Sequence, residues 1–144
     1  MITSLDKIDI LILRELQKDA KLTTKDLAAK VNLSPSPTFE RLKRLERDGY
    51  IRKYIAVVEG YPQNEEGTIH TWLKEHPKSL KVRVSAEGDG QEAITHYKVL
   101  QKKHGYALVE LELETGRKNQ IRTHLSHIGH PIAGDVKYNA QSNP

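Results

Sequence analysis

At 144 residues, with 37% apolar and 29% charged residues, the chain has room for one ordinary domain or two small ones with modest cores. The absence of cysteine excludes disulfides, thiolate zinc sites and a cysteine nucleophile and suits a cytoplasmic setting, and with no run of 18 apolar residues no membrane span is expected. The formal charge of +4 is uneven: residues 1–58 hold 12 Lys and Arg against 8 Asp and Glu, residues 59–144 hold 11 of each, and all seven histidines lie in the second part, which points the N-terminal part toward a polyanion.

Asp6, Lys7 and Asp9 break up the start of the chain, so a secretory signal is not expected there. Leu5, Ile8, Ile12 and Leu16 recur at spacings of three and four, predicting a helix over about 6–18 with Asp6 and Asp9 in its first turn. A second helix is expected from Thr23, with Asp26 three residues on in a near capping-box pattern and Leu27, Ala28 and Val31 inward. After a turn at 31–33, Ser34 is placed to cap a third helix that starts with Pro35, buries Phe39, Leu42 and Leu45 and ends at Gly49.

Two helices joined by a short turn, the second one basic, describe a helix-turn-helix that lays its second helix in the major groove. Candidate DNA contacts are Lys25, Ser34, Ser36, Thr38, Arg41, Lys43, Arg44 and Arg47, the early residues for base edges and the cations for phosphates. The bland alternative is a solvated helix face. The stretches Leu5-Asp6-Lys7-Ile8-Asp9, Leu33-Ser34-Pro35-Ser36-Pro37, Arg41-Leu42-Lys43-Arg44-Leu45-Glu46 and Gly49-Tyr50-Ile51 resemble the winged helix-turn-helix of the Lrp/AsnC transcription regulators over residues 2–58. The resemblance implies double-stranded DNA as partner. The ferredoxin-like domain that binds amino acids and builds oligomers in that family is not seen, which leaves the oligomeric state open.

Residues 52–58 read as a strand, and 60–67 as a polar loop that could pass for a linker. Short strands are expected at 68–73 and 80–84, with a turn at Gly88-Asp89-Gly90. A hairpin is expected from 93–102 and 106–114 around His104-Gly105; Ala107, Val109, Leu111 and Leu113 alternate with polar or larger residues. A helix over about 118–128 would turn Ile121, Leu125 and Ile128 inward. His124, His127 and His130 are spaced by three, but His130 lies between Gly129 and Pro131 and no acidic or cysteine partner accompanies them, so packing or RNA contact is favoured over a metal.

Glu114-Thr115-Gly116-Arg117, Gln120-Ile121-Arg122, His124-Leu125, Ile128-Gly129-His130-Pro131-Ile132 and Gly134-Asp135 resemble the C-terminal motif of the RluA-like pseudouridine synthases, as do Thr95-His96-Tyr97-Lys98-Val99-Leu100 and the strand 53–60. The resemblance covers about 53–140 and implies an enzyme that isomerises uridine in ribosomal or transfer RNA through an aspartate, without a cofactor. It assigns Tyr54 to the flipped base and Arg122 to the aspartate, with RNA contacts at Arg117, Lys118, Asn119 and Gln120; a structural helix end is the alternative reading of those contacts.

The aspartate motif belongs upstream of the tyrosine strand, where this chain carries the helix-turn-helix. Arg41-Leu42 and Arg44-Leu45 are followed by Lys and Glu, and Asp135 matches a different, terminal part of the pattern. An active version would need a carboxylate within reach of Tyr54 and Arg122, with an open base-sized pocket alongside. The expected organisation is α+β: a three-helix winged helix-turn-helix over 1–58, then a partial mixed or antiparallel sheet with one helix over 59–144, lacking the last strands and helix of the synthase fold. The expected function is sequence-specific DNA binding joined to a catalytically incomplete synthase segment, as a recombination product, an engineered chimera or a joined gene fragment. RNA pseudouridine synthase activity is the alternative.

Overall fold

The computed structural model describes residues 4–19 and 22–141. Residues 1–3 and 20–21 and the polar end at 142–144 lie outside the described residues. Two compact units divide between Arg52 and Lys53.

The first unit holds α1 (Lys7–Lys18), α2 (Thr24–Lys30) and α3 (Pro35–Arg47). Asp6 caps α1 in a reciprocal box with Asp9: the Asp9 N–H donates to Asp6 Oδ1 at 2.8 Å and the Asp6 N–H to Asp9 Oδ2 at 3.1 Å. Thr23 caps α2, accepting the Asp26 N–H at 3.1 Å while its hydroxyl donates to Asp26 Oδ2 at 2.8 Å. Ile12, Leu27, Val31 and Leu45 form the buried centre, ringed by Leu5, Ile8, Leu16 and Leu42 among others. Gly49, at φ +81°, ends α3 in a Schellman motif: the Gly49 N–H reaches Glu46 O and the Tyr50 N–H reaches Leu45 O. Phe39 does not join this centre; Lys43 Nζ stands 4.9 Å from its ring centroid.

The second unit is a five-stranded sheet in the order β1-β5-β4-β2-β3, from β1 (Tyr54–Glu59), β2 (Glu66–Glu75), β3 (Val82–Ser85), β4 (Gln91–Lys103) and β5 (Tyr106–Leu113), followed by α4 (Gln120–His127) and a short 3-10 turn over Val136–Tyr138. Every strand pair is antiparallel. The β4–β5 hairpin turns at His104 and Gly105, both at positive φ, as a two-residue primed turn requires. Val58, Val99, Ala107, Val109, Leu111 and Leu125 make its core, with Ile121 and Ile128 packed against it.

Two expectations change here. The strand at 54–59, which falls within both resemblances, pairs along its length with β5, Val57 opposite Leu108, and so belongs to the sheet. The 60–67 stretch connects β1 to β2 inside that sheet, tied down by the Val99 N–H on Glu65 O and the Gly60 N–H on Gly105 O. A β-branched strand follows the strongest apolar ladder available, and β5 offers one.

Candidate functional site

In the helical unit the candidate DNA contacts separate by depth. Lys25, Ser34 and Ser36 are exposed, and the Arg47 side chain is 73% exposed despite its Asp48 partner. Thr38 is fully buried and donates its hydroxyl to Ser34 O at 3.0 Å, so it cannot read a base. Arg41 and Arg44, expected as phosphate contacts, are both engaged within the unit. Both hold the buried Asp9 carboxylate, Arg41 Nη1 at 2.9 Å from Oδ1 and Arg44 Nη2 against Oδ2; Arg41 Nη1 also donates to Asp6 Oδ2 at 2.7 Å.

A carboxylate at the α1–α3 contact must be paired, and the arginines of α3 supply that pairing. The capping Asp9 N–H and the Arg41 guanidinium hold the Asp6 carboxyl down at about 2. Lys43 is partly engaged by Glu46 at 3.3 Å. Asp9 is the residue that sequence reasoning missed, although it sits four residues after Leu5 on the apolar face of α1.

In the sheet unit a buried polar chain ties α4 to the strands. The Gln120 side-chain amide donates to Ile94 O at 3.0 Å and Thr95 Oγ1 at 2.9 Å, and its carbonyl accepts from Thr115 Oγ1 at 2.7 Å and the Arg117 N–H at 3.0 Å. His124 lies between Thr95 Oγ1 at 2.7 Å from Nδ1 and Thr71 Oγ1 at 2.8 Å from Nε2. Burial, then the charges of His127 and His70, push the His124 imidazole down to about 4, so it is neutral at ordinary pH. His130 Nδ1 lies 2.8 Å from Glu59 O. Among the described residues no group of three or more His, Asp or Glu side chains is arranged to hold a metal.

The expected RNA contacts are therefore unequal. Gln120 is 2% exposed with its amide satisfied, which removes it from any RNA surface. Arg117 donates through Nε to Glu92 O at 2.9 Å, and Asn119 takes a left-handed backbone at φ +54° and donates to the Tyr138 hydroxyl at 3.3 Å. Lys118 is exposed, with Glu75 at 2.6 Å. A cleft of about 240 Å³ is lined by Leu73, Glu75, Val82, Gln91, Arg117 and Lys118.

Tyr54 sits in β1 opposite Leu111, packed against the sheet core. Arg122 faces a carboxylate after all: its Nε and Nη2 donate to the two oxygens of Asp135 at 2.8 and 2.7 Å. That bidentate pair holds the guanidinium above its ordinary pKa, and the Tyr138 ring lies 4.5 Å from it. One part of the condition for an active site, a carboxylate on Arg122, is thus supplied by a residue of the terminal turn. The pocket part is not met by the cleft, whose lining includes neither Arg122, Asp135 nor Tyr54.

A three-helix unit and an antiparallel sheet whose helix α4 holds Asp135 through Arg122 define a two-unit α+β protein. Residues 5–52 match the model of a winged helix-turn-helix DNA-binding family. Residues 36–127, more than half of the chain, match that of the RNA pseudouridylate synthases, and the chain belongs to that family. The two matches share residues 36–52, which fold as α3 and the turn after it.

Among curated relatives, the RNA pseudouridine synthase YlyB of Bacillus subtilis is 44% identical over 87 residues, covering 60% of this chain and 28% of the relative. YjbO of the same organism is 41% identical over 98 residues, covering 67% and 34%. The chain thus spans about a third or less of the length of these relatives. The solved structure of human RNA Pseudouridylate Synthase Domain Containing 1 superposes with a TM-score of 0.60 at 22% identity, covering 75% of this chain and 49% of that one, which shows a shared fold.

Proposed function

We propose that the chain acts as a duplex-DNA-binding protein of the Lrp/AsnC type, a transcription regulator in which the synthase segment is catalytically incomplete. The observation that carries the reading is the helical unit itself. Its helices α2 and α3 present Lys25, Ser34, Ser36 and Arg47 to solvent at the helix starts and along α3, where a major-groove reader needs them.

The residues before Tyr54 support the incompleteness: they form helices where the resemblance places its aspartate motif, and Asp135 matches a different, terminal part of that pattern. Arg117 and Lys118 beside the cleft support an RNA contact without turnover, as cations placed to meet phosphate.

Electrophoretic mobility shifts of labelled duplexes at rising salt test the reading. Retarded complexes that dissolve steeply with salt are expected, through counterion release. Free duplex at every protein concentration in low salt would reject it.

A second reading is favoured by family membership and by the carboxylate on Arg122: isomerisation of uridine in ribosomal or transfer RNA. Mapping pseudouridine after incubation with such RNA decides it. Site-specific product that disappears in both Arg122→Ala and Asp135→Asn would establish that activity and overturn the incompleteness.

A further inference from the structure

Two carboxylates hold Arg41, and they differ in depth. The Asp9 side chain is 0% exposed, that of Asp6 51%, and that of Arg41 itself 27%. Both contacts use one nitrogen, Nη1, at 2.9 Å from Asp9 and 2.7 Å from Asp6. Asp9 also takes Arg44 and the Asp6 N–H, so its departure would strand buried charge. Asp6 stands at the solvent boundary, and an exposed ion pair exchanges its anion at little cost.

We infer that Asp6 occupies the place on Arg41 that a DNA backbone phosphate takes, so that Arg41 belongs to the DNA-docking surface and Asp6 is a built-in competitor that sets duplex affinity. The inference rests on the helix-turn-helix reading of the unit.

The geometry allows the exchange without loss of structure. Asp6 meets Arg41 through Oδ2 and caps α1 through Oδ1, which accepts the Asp9 N–H at 2.8 Å. Phosphate oxygens can therefore replace Oδ2 while the cap stays closed. Asp9 keeps the guanidinium anchored, and the planar fork of arginine has donors enough for both anions. Arg44 is excluded from such an exchange, because its Nη2 is buried against Asp9.

Asp6→Asn separates the charge from the cap, since asparagine caps a helix about as well as aspartate. Binding of a labelled duplex by the full chain is measured across a salt series for the wild type, Asp6→Asn, Arg41→Gln and the double variant, with a melting curve for each. Asp6→Asn is expected to bind about fivefold more tightly in low salt. Its slope of log affinity against log salt is expected to steepen by about 0.9, one further phosphate neutralised. The gain is expected to vanish when Arg41 is already glutamine.

Unchanged or weaker binding by a folded Asp6→Asn, where the wild type binds, overturns the inference and leaves the helix-turn-helix reading standing. A gain undiminished in the Arg41→Gln background also overturns it, since the charge then acts at long range. If neither wild type nor Asp6→Asn binds duplex, the helix-turn-helix reading fails and the inference falls with it.

Discussion

Helices α3 and α4 both carry arginines that meet carboxylates of their own unit, and they use their polar side chains differently. In α3, Arg41 and Arg44 close a contact with α1 through Asp9, while Ser36 and Arg47 are left to solvent. In α4 the outward-looking amide and cation, Gln120 and Arg122, turn inward to the sheet and to Asp135, and Lys118 at the helix approach remains exposed. A run of cations and amides on a helix is therefore a mixture of anchors and free contacts. Which is which depends on whether a carboxylate or a strand carbonyl lies opposite.

The largest expected effects break the anchors. Asp9→Ala leaves Arg41 and Arg44 facing each other without their shared carboxylate, and should destabilise the helical unit by about 4 kcal/mol. Thermal denaturation followed on the helical signal reads this, and the sheet unit should melt as before. Acid provides the matching break in the sheet unit.

The His124 value is depressed to about 4 in the fold, so between about 6.5 and 4 the unfolded chain binds a proton that the folded one refuses. Stability is thus full above pH 6.5, falls as pH drops to 4, and levels off below. The loss is at most about 3 kcal/mol. Urea midpoints between pH 7 and 4 should show the slope, and His124→Gln should flatten it.

The contrast between anchored and free cations was only partly legible in the sequence. The helices of the first unit, the caps of α1 and α2 and Gly49 follow from local signals that act within four residues, and so do the β4–β5 hairpin and its His104-Gly105 turn; Ser34, expected to cap α3, makes no side-chain capping bond. Strand pairing depends on partners distant in the chain, which is why the strand at 54–59 was read with the helices before it. The partners that engage Arg41, Arg44 and Gln120 are hidden from the sequence for a related reason. These partners, Asp9, Ile94 and Thr95, lie 25 to 35 residues away in other elements, though Asp9 on an apolar stripe is a visible hint. Tyr54 and Arg122 were found by motif alone, and Asp135 as the partner of Arg122 only by geometry.

Smaller effects sharpen the comparison. Arg122→Ala leaves Asp135 partly buried and unpaired and should cost about 2 kcal/mol in the sheet unit, read by the urea midpoint at pH 7. Lys25→Ala and Arg47→Ala touch no core contact and should leave melting within about 0.5 kcal/mol of wild type. Each should still lower duplex affinity.

The central claim is that duplex DNA is held by the free cations of the helical unit and not by those beside α4. Fluorescence anisotropy of one labelled duplex, titrated in parallel with wild type, Lys25→Ala/Arg47→Ala and Arg117→Ala/Lys118→Ala, tests it most directly. The account predicts that the first double variant binds more than tenfold more weakly, with a salt slope shallower by about 1.8 for two lost phosphate contacts, and that the second binds as wild type does. Equal binding by wild type and the first variant, with loss in the second, would contradict it.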